Sequence, residues 1–400
     1  MNKKRLLFVI NNFNIGGPQK SLLSLLYKID FNLYDVNLTI LNGNGSLNKY
    51  LPKQVRVITP DPLVTYSTLP PKNFLVNSTK LLFSENYLFP LQAGYAAIKG
   101  YIKKNMTKEK QRYWKKVKHR LPTLDGKFDV AFGVSGGHSM MFVADCVVAK
   151  KKLGWIRSDY RVLNRDYAED RSYFEEMDEI LSVSKVCKDI FVDIFPEMST
   201  KVQVMYNVLP FNMYENIPAN TKLISEDKGI TKLLTICRLD PHKGLDLAIG
   251  ALEFLLENNA NVRWYVLGGG SYEKELEDLI KEKGLENHFI LLGFQFNTAE
   301  FIKRADIVVH PSRFEGKSNV IDEAKYLLKP IVATNYETVN EQLTHEKNGL
   351  ISEMNSKSLA SCIQKMIYDK YIRQQFSENL FNERYDDMES LKIFNKVVGK

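Results

Sequence analysis

Short apolar runs alternate with helical segments twice along this chain, and that rhythm restricts the fold more than any other feature. The first series opens with Arg5 to Ile10, crosses a loop holding Gly16 and Gly17, and enters a helix at Pro18 that carries Leu22, Leu23, Leu25 and Leu26. Val36 to Leu41, Val55 to Ile58, Phe128 to Val134, Leu153 to Arg157, Glu179 to Val183 and Val202 to Asn207 read as strands, with a helix over Ser139 to Lys151. The second series is strand Lys232 to Arg238, a helix from Gly244, strand Val262 to Gly268, helix Tyr272 to Lys283 and strand Phe289 to Gly293. Helix Ala299 to Arg304, strand Asp306 to Pro311, helix Asn319 to Leu328, strand Pro330 to Thr334 and terminal helices follow. Runs such as Ile307-Val308-Val309 and Ile331-Val332-Ala333 are apolar on both faces, the pattern of parallel strands covered on both sides. The spacing predicts an α/β chain of two doubly wound Rossmann-like domains facing across a cleft, with ligands bound beyond the carboxyl ends of the strands.

Domain limits follow from where the rhythm breaks. The first domain is expected over 1–210, interrupted at about 60–125 by a helical, basic insertion marked by Pro60, Pro62, Pro70 and Pro71. A linker is expected over 211–230, where Pro218, Asn220, Ser225 and Gly229 show little periodicity. The second domain is expected over 231–380, and 381–400 forms a C-terminal helix that packs back on the first domain. A chain of 400 residues with 44% hydrophobic and 26% charged residues excludes a single small module and a disordered chain. The apolar run behind Lys3, Lys4 and Arg5 stops at Ile10, so it reads as a buried strand and not a signal peptide. No stretch approaches the roughly 18 to 20 apolar residues that cross a bilayer, so no membrane span is expected. Cys146, Cys187, Cys237 and Cys362 form no CxxC pair and are read as buried thiols of a cytoplasmic protein.

The charge is concentrated. Residues 101–120 hold nine Lys or Arg and one acid, which accounts for the whole net charge of +8 and argues against a nucleic-acid surface spread over the chain. Within that segment Ile102, Met106, Tyr113, Val117 and Leu121 share one helical face, with lysines around them. Two expectations stand for this helix: it lies on an anionic membrane surface through Tyr113 and Trp114, or it packs on the first domain with a solvated basic face.

The strongest chemical signal is the segment Ser312 to Ala324, directly behind the Asp306 to Pro311 strand. Gly316 allows close backbone approach, and the amides of Lys317, Ser318 and Asn319 are expected as free donors of a first helical turn, which form an anion site. Glu315 and Glu323 have seven residues between them. Such a pair can serve as glycosidase acid and base, but beside an anion site it fits acceptance of sugar hydroxyls better. A second signal, Ile236 to Gly244, also follows a strand, and its Arg238 and Lys243 are suited to neutralise a diphosphate. Gly268-Gly269-Gly270 behind a third strand is too short for a dinucleotide fingerprint.

On these residues the chain resembles retaining glycosyltransferases of family 4, of the bacterial surface-polysaccharide type, with the two-Rossmann GT-B architecture. The resemblance rests on Glu315 and Glu323 as the Glu-x7-Glu motif, on Arg238, Leu239, Lys243 and Gly244, and on the Gly16-Gly17 loop. It implies that the first domain takes the acceptor and the second the nucleotide sugar. Arg238 and Lys243 would hold the donor diphosphate, with Gly316, Lys317, Ser318 and Asn319 beside it and Gly16 and Gly17 approaching the phosphates. Glu315 would contact the donor sugar, which makes Glu315, Arg238 and Lys243 the expected catalytic set, and Glu323 would bind the ribose. Base recognition is expected near Phe294 to Phe296. Where the family usually has a histidine, this chain has Arg157, a candidate contact for the sugar or the acceptor, as is His138.

The expected reaction is retaining transfer from a UDP-linked donor to a lipid-linked saccharide, at the inner leaflet. No cofactor and no metal are expected, since the chain holds neither Asp-x-Asp nor HExxH. A sugar-nucleotide epimerase of the same fold, or a non-catalytic nucleotide-sugar-binding protein, are the alternatives.

Overall fold

The computed structural model describes residues 3–14, 16–43, 45–68, 88–215, 217, 219, 224, 227–383 and 386–399. Much of the proline-rich part of the expected insertion, including Pro70 and Pro71, and Pro218, Asn220 and Ser225 of the expected linker lie outside these residues. The chain forms two compact units, one of 1–206 with 390–400 and one of 207–389.

The first unit holds a seven-stranded sheet. Its strands are β1 (Lys4–Ile10), β2 (Tyr34–Ile40), β3 (Arg56–Val57), β4 (Lys127–Gly133), β5 (Val148–Ile156), β6 (Glu179–Ser182) and β7 (Val202–Val204). They lie in the order β3-β2-β1-β4-β5-β6-β7, and every pairing is parallel. Alternate residues reach opposite faces of a strand. Leu7 and Val9 of β1 therefore enter one core with Ala131, Phe142 and Trp114, while Phe8 stacks on Phe132 at 4.7 Å on the other face. Phe394 of the last helix, Met388–Val397, stacks over that second face at 6.5 Å from Phe8 and 6.0 Å from Phe132. Residues 390–400 thus count with the first unit.

The second unit holds a six-stranded sheet in the order β10-β9-β8-β11-β12-β13, again all parallel. Its strands are β8 (Thr231–Ile236), β9 (Val262–Leu267), β10 (Phe289–Leu291), β11 (Ile307–His310), β12 (Ile331–Thr334) and β13 (Leu350–Ser352). The same alternation sorts its side chains: Leu233, Trp264, Ile307, Val309 and Val332 join one core, and Leu234, Tyr265, Val308, Ile331 and Ala333 join the other. Each large apolar side chain taken fully out of water contributes about 1.5–3 kcal/mol.

Three expectations differ from the structure. The helix expected over Ser139 to Lys151 ends at Cys146, and β5 already begins at Val148, because the Lys-rich run Ala149 to Lys152 pairs with β4 while Lys150, Lys151 and Lys152 give their ammonium groups to Asp129, Glu179 and the Ala144 carbonyl. Part of the expected linker packs: Met213 and Tyr214 are buried, and Ile224 enters a core of the second unit. The basic helix is in fact two, Leu88–Ile102 and Met106–Val117, broken where Lys104 takes φ 51° and Asn105 caps the second by accepting from the Lys108 amide. Tyr113, Trp114 and Val117 face inward, and Trp114 donates from Nε1 to Asp145 Oδ2 at 2.8 Å. These rings are core anchors, so Tyr113 and Trp114 do not serve as membrane anchors.

Candidate active site

In the second unit β8 and β11 are neighbours, with β9 and β10 extending to one side and β12 and β13 to the other. Strand order reverses between them, so the loops leaving their carboxyl ends diverge and open a crevice. The two motifs singled out from the sequence are those two loops.

Glycine lets the loops touch. Gly244 has φ +66°, and a Cβ there would lie 1.9 Å from the Pro311 carbonyl oxygen. Gly268 has φ +153°, and its Cβ would lie 1.8 Å from the Cys237 carbonyl, so the loop after β9 closes in as well. Arg313 then ties the assembly. Its amide donates to the His242 carbonyl at 2.8 Å, its Nη1 to the Pro241 carbonyl at 2.7 Å, and its guanidinium forks onto Asp246 at 2.8 and 2.6 Å.

The charged side chains meet at Glu315. Its Oε1 accepts from Lys243 Nζ at 2.6 Å and from His310 Nε2 at 2.9 Å. An ionised carboxylate only accepts, which assigns the proton to Nε2 of His310. Burial alone would raise the Glu315 carboxyl, but Lys243 and the His310 hydrogen bond outweigh it and hold the group down at about 2. His310 is itself buried, and its Nδ1 makes no hydrogen bond among the described residues. Arg238 differs, with a side chain 65% exposed and only a 3.6 Å approach to Asp240. Cys237 sits within the field of Lys243, Glu315, Arg238 and Asp240, and burial pushes its thiol up to about 12, which leaves it protonated and unreactive.

The helix Asn319–Tyr326 that follows departs from the expected anion site. The amide of Ser318, expected to be a free donor, instead donates to Gln342 Oε1 at 2.9 Å. Gln342 returns Nε2 to the Ser318 carbonyl and to Asp322 Oδ1, both at 2.8 Å, because a buried amide side chain must satisfy donors and acceptor together. The Lys317 ammonium is buried in an ion pair with Asp322, so its charge is already compensated. Gly316 is buried. Asn319 Oδ1 accepts from Asn207 Nδ2 at 2.7 Å. Glu323 is fully buried and accepts from Thr298 Oγ1 at 2.6 Å, with Tyr214 Oη at 3.5 Å. The two carboxylates of the motif therefore keep different company, cations at Glu315 and hydroxyls at Glu323.

In the first unit Gly16 caps the Gly17–Leu26 helix with extended φ 179°, and nothing lies within 4 Å of where a Gly17 Cβ would be. Arg157, just beyond β5, donates from Nε to the Val134 carbonyl and from Nη1 to Ser21 Oγ, both at 3.0 Å, with its guanidinium carbon 3.5 Å from the Trp155 ring centre. Burial lowers it to about 9, so it stays charged at neutral pH. It thus braces the segments that follow β1, β4 and β5. His138 turns toward Trp114, with ring centres 5.5 Å apart, and burial takes its imidazole down to about 3. It is a neutral packing group toward the Met106–Val117 helix.

Sequence reading missed His310, Arg313 and Gln342. A polar residue closing the run Ile307-Val308-Val309 at a strand's carboxyl end was the available signal for His310; Gln342 is distant in sequence and left none. Among the described residues no group of three His, Cys, Asp or Glu is placed to hold a metal.

Two parallel-sheet Rossmann-like units give the chain the GT-B fold. HepE of Anabaena in complex with UDP-glucose superposes with a TM-score of 0.69 at 18% identity, covering 98% of this chain and 99% of that one. TarM of Staphylococcus aureus does so at 0.65 and 14% identity, covering 100% and 99%. Residues 218–382 match the family model for glycosyl transferases group 1, a stretch within the second unit that contains both strand-end loops. An uncharacterised glycosyltransferase of Methanocaldococcus jannaschii is 28% identical over 55% of this chain and 59% of its own length. A Campylobacter jejuni enzyme, N-acetylgalactosamine-N,N'-diacetylbacillosaminyl-diphospho-undecaprenol 4-alpha-N-acetylgalactosaminyltransferase, is 29% identical over 55% and 59%. The chain spans about three fifths of the length of these relatives.

Proposed function

We propose that this protein is a retaining, metal-independent glycosyltransferase that moves a sugar from a UDP-linked donor to a lipid-linked saccharide in the synthesis of a cell-surface polysaccharide. The observation that carries the reading is the convergence of Lys243, Glu315 and His310 beside the exposed Arg238, where strand order reverses. Arg238 and Lys243 take the donor diphosphate. At about 4 Å and an effective dielectric near 20, each opposite-charge contact is worth roughly 4 kcal/mol before desolvation. Glu315 is ionised and an acceptor only, so it receives hydroxyl hydrogens of the donor sugar, and Glu323 takes the ribose in exchange for its Thr298 bond. Gly316 and the amides of Lys317 and Asn319 approach the phosphates.

In the transfer, the bond from the anomeric carbon to the phosphate oxygen breaks. The acceptor oxygen forms the new bond on the same face, and its proton passes to the departing phosphate, whose charge Arg238 and Lys243 stabilise. Relatives support the finer points. The Campylobacter enzyme's name specifies a diphospho-undecaprenol substrate, others name amylovoran and colanic acid biosynthesis, and several names specify an alpha linkage, the product of retention from an α-linked donor. UDP- and GDP-sugars incubated with the protein, with and without a polyprenyl-linked saccharide and with chelator present, test the proposal. Acceptor-dependent release of UDP is expected. Release of an altered nucleotide sugar without acceptor would make it an epimerase instead.

A further inference from the structure

The Leu88–Ile102 helix is almost wholly apolar in sequence yet buries only one side. Phe89, Ala93 and Gly100 face the first unit, where Phe89 and Ala93 pack with Tyr66, Tyr113 and Val117. On the opposite side Leu91, Tyr95, Ile98, Tyr101 and Ile102 are 55 to 83% exposed. At 100° per residue Leu91, Tyr95, Ile98 and Ile102 fall within about 60° of arc, a continuous apolar stripe along the helix. Scattered apolar side chains are ordinary on a surface, whereas a contiguous patch of this kind marks a contact.

The charges around the stripe identify the contact. Lys103 and Lys104 follow it exposed, and Lys115 and Lys116 are exposed on the neighbouring Met106–Val117 helix. The ammonium groups of Lys99 and Lys116 lie 5.5 and 6.0 Å from the Tyr95 ring centre. Glu109, the one acid of this segment, pairs with Arg112 and stands 4.0 Å from the ammonium groups of Lys99 and Lys103, and Lys115 pairs with Glu169 at 2.8 Å, so these two carboxylates offset part of the charge while the segment stays strongly basic. A second copy of the chain would bring like charges together at this face, and a nucleic acid would leave five apolar side chains unused. An anionic lipid surface satisfies both features, with the stripe at the level of the headgroups and acyl chains and the lysines among the phosphates.

We propose that the Leu88–Ile102 helix docks the first unit on an anionic bilayer. This supplies a surface for the attachment that a lipid-linked acceptor calls for, but it needs no transfer chemistry and is measured without it. The full chain is sedimented with vesicles of phosphatidylcholine alone and with about one third phosphatidylglycerol, at about 0.05 and about 0.5 M salt. Binding to the anionic vesicles that weakens with salt is expected. Ile98→Asp with Ile102→Asp should lower the partition at least tenfold with an unchanged urea midpoint, since both positions face water. Lys103→Ala, Lys104→Ala and Lys116→Ala together should lower it by about a hundredfold at low salt, each lysine being worth about fivefold. Donor turnover in detergent-free solution separates the two readings: vesicle binding with no turnover sinks the transferase alone, and turnover with no vesicle binding sinks this docking alone. Unaltered binding of the Ile98→Asp, Ile102→Asp variant overturns the proposal. So does a concentration-dependent dimer abolished by that variant, which would give the stripe to a second copy.

Discussion

The strand ends of the two units treat charge in opposite ways. In the second unit Lys243 and Glu315 form a pair beside an exposed guanidinium, so a polyanion can enter by taking over contacts of these side chains. In the first unit Arg157 is fixed by the Val134 carbonyl, Ser21 and the Trp155 ring, and Arg165 is sunk onto Asp170, which is fully buried and also receives Tyr160 at 2.5 Å and Gln111 at 2.9 Å. The contrast teaches that an ion pair near solvent can be exchanged for a ligand, whereas one enclosed in a core serves the fold. Residues 218–382, the stretch that matches the family, hold both kinds, the Lys243–Glu315 pair beside the exposed Arg238 and the buried Lys317–Asp322 pair.

Substitutions can break this contrast. The largest effect is expected at Asp170→Asn, which leaves Arg165 buried without its counter-charge and should cost about 3–5 kcal/mol in urea unfolding. Lys243→Ala strands Glu315 in the same way but nearer to solvent, and should cost about 3 kcal/mol while also abolishing turnover. If the two variants were equally stable to wild type, the distinction would fail.

Acid should expose the difference next. Glu315 titrates near 2 in the folded unit against an ordinary 4.5, so its stabilisation is complete above about 4.5 and is lost as pH falls toward 2, on the order of 3 kcal/mol in all. Lys243→Ala should remove most of that dependence. His138 is shifted the other way for its type: the folded protein resists its protonation, so stability in the first unit declines from about 6.5 toward 3. Stability curves for wild type and for His138→Phe should therefore diverge in that higher window, well before Glu315 responds.

The doubly wound fold was legible because β11 and β12 are apolar on both faces, whereas the close approach of Gly244 to the Pro311 carbonyl emerges only from the fold. The Glu315 cluster was partly legible: its motifs name Lys243 and Glu315, but the short Lys243–Glu315 contact arises from β8 and β11 lying side by side across 72 positions of sequence. Gln342 could not be seen at all, since it reaches Ser318 only through tertiary packing and takes the amide that an anion was expected to use. Of the two expectations for the basic helix, packing on the first domain is the one that the burial of Tyr113 and Trp114 matches, and the membrane role of those rings fails, because helical period identifies an apolar face without saying what covers it.

Arg238→Ala is the smallest expected change in stability, within about 0.5 kcal/mol, because the side chain is mostly solvated. It is also the most direct test of the site, since a charge-assisted contact of about 1.5–3 kcal/mol amounts to roughly ten- to a hundredfold in affinity. Calorimetric titration of UDP into wild type and Arg238→Ala should show binding weakened by at least tenfold with the unfolding curve unchanged; equal affinity in the two proteins would contradict the assignment of this crevice to a nucleotide diphosphate.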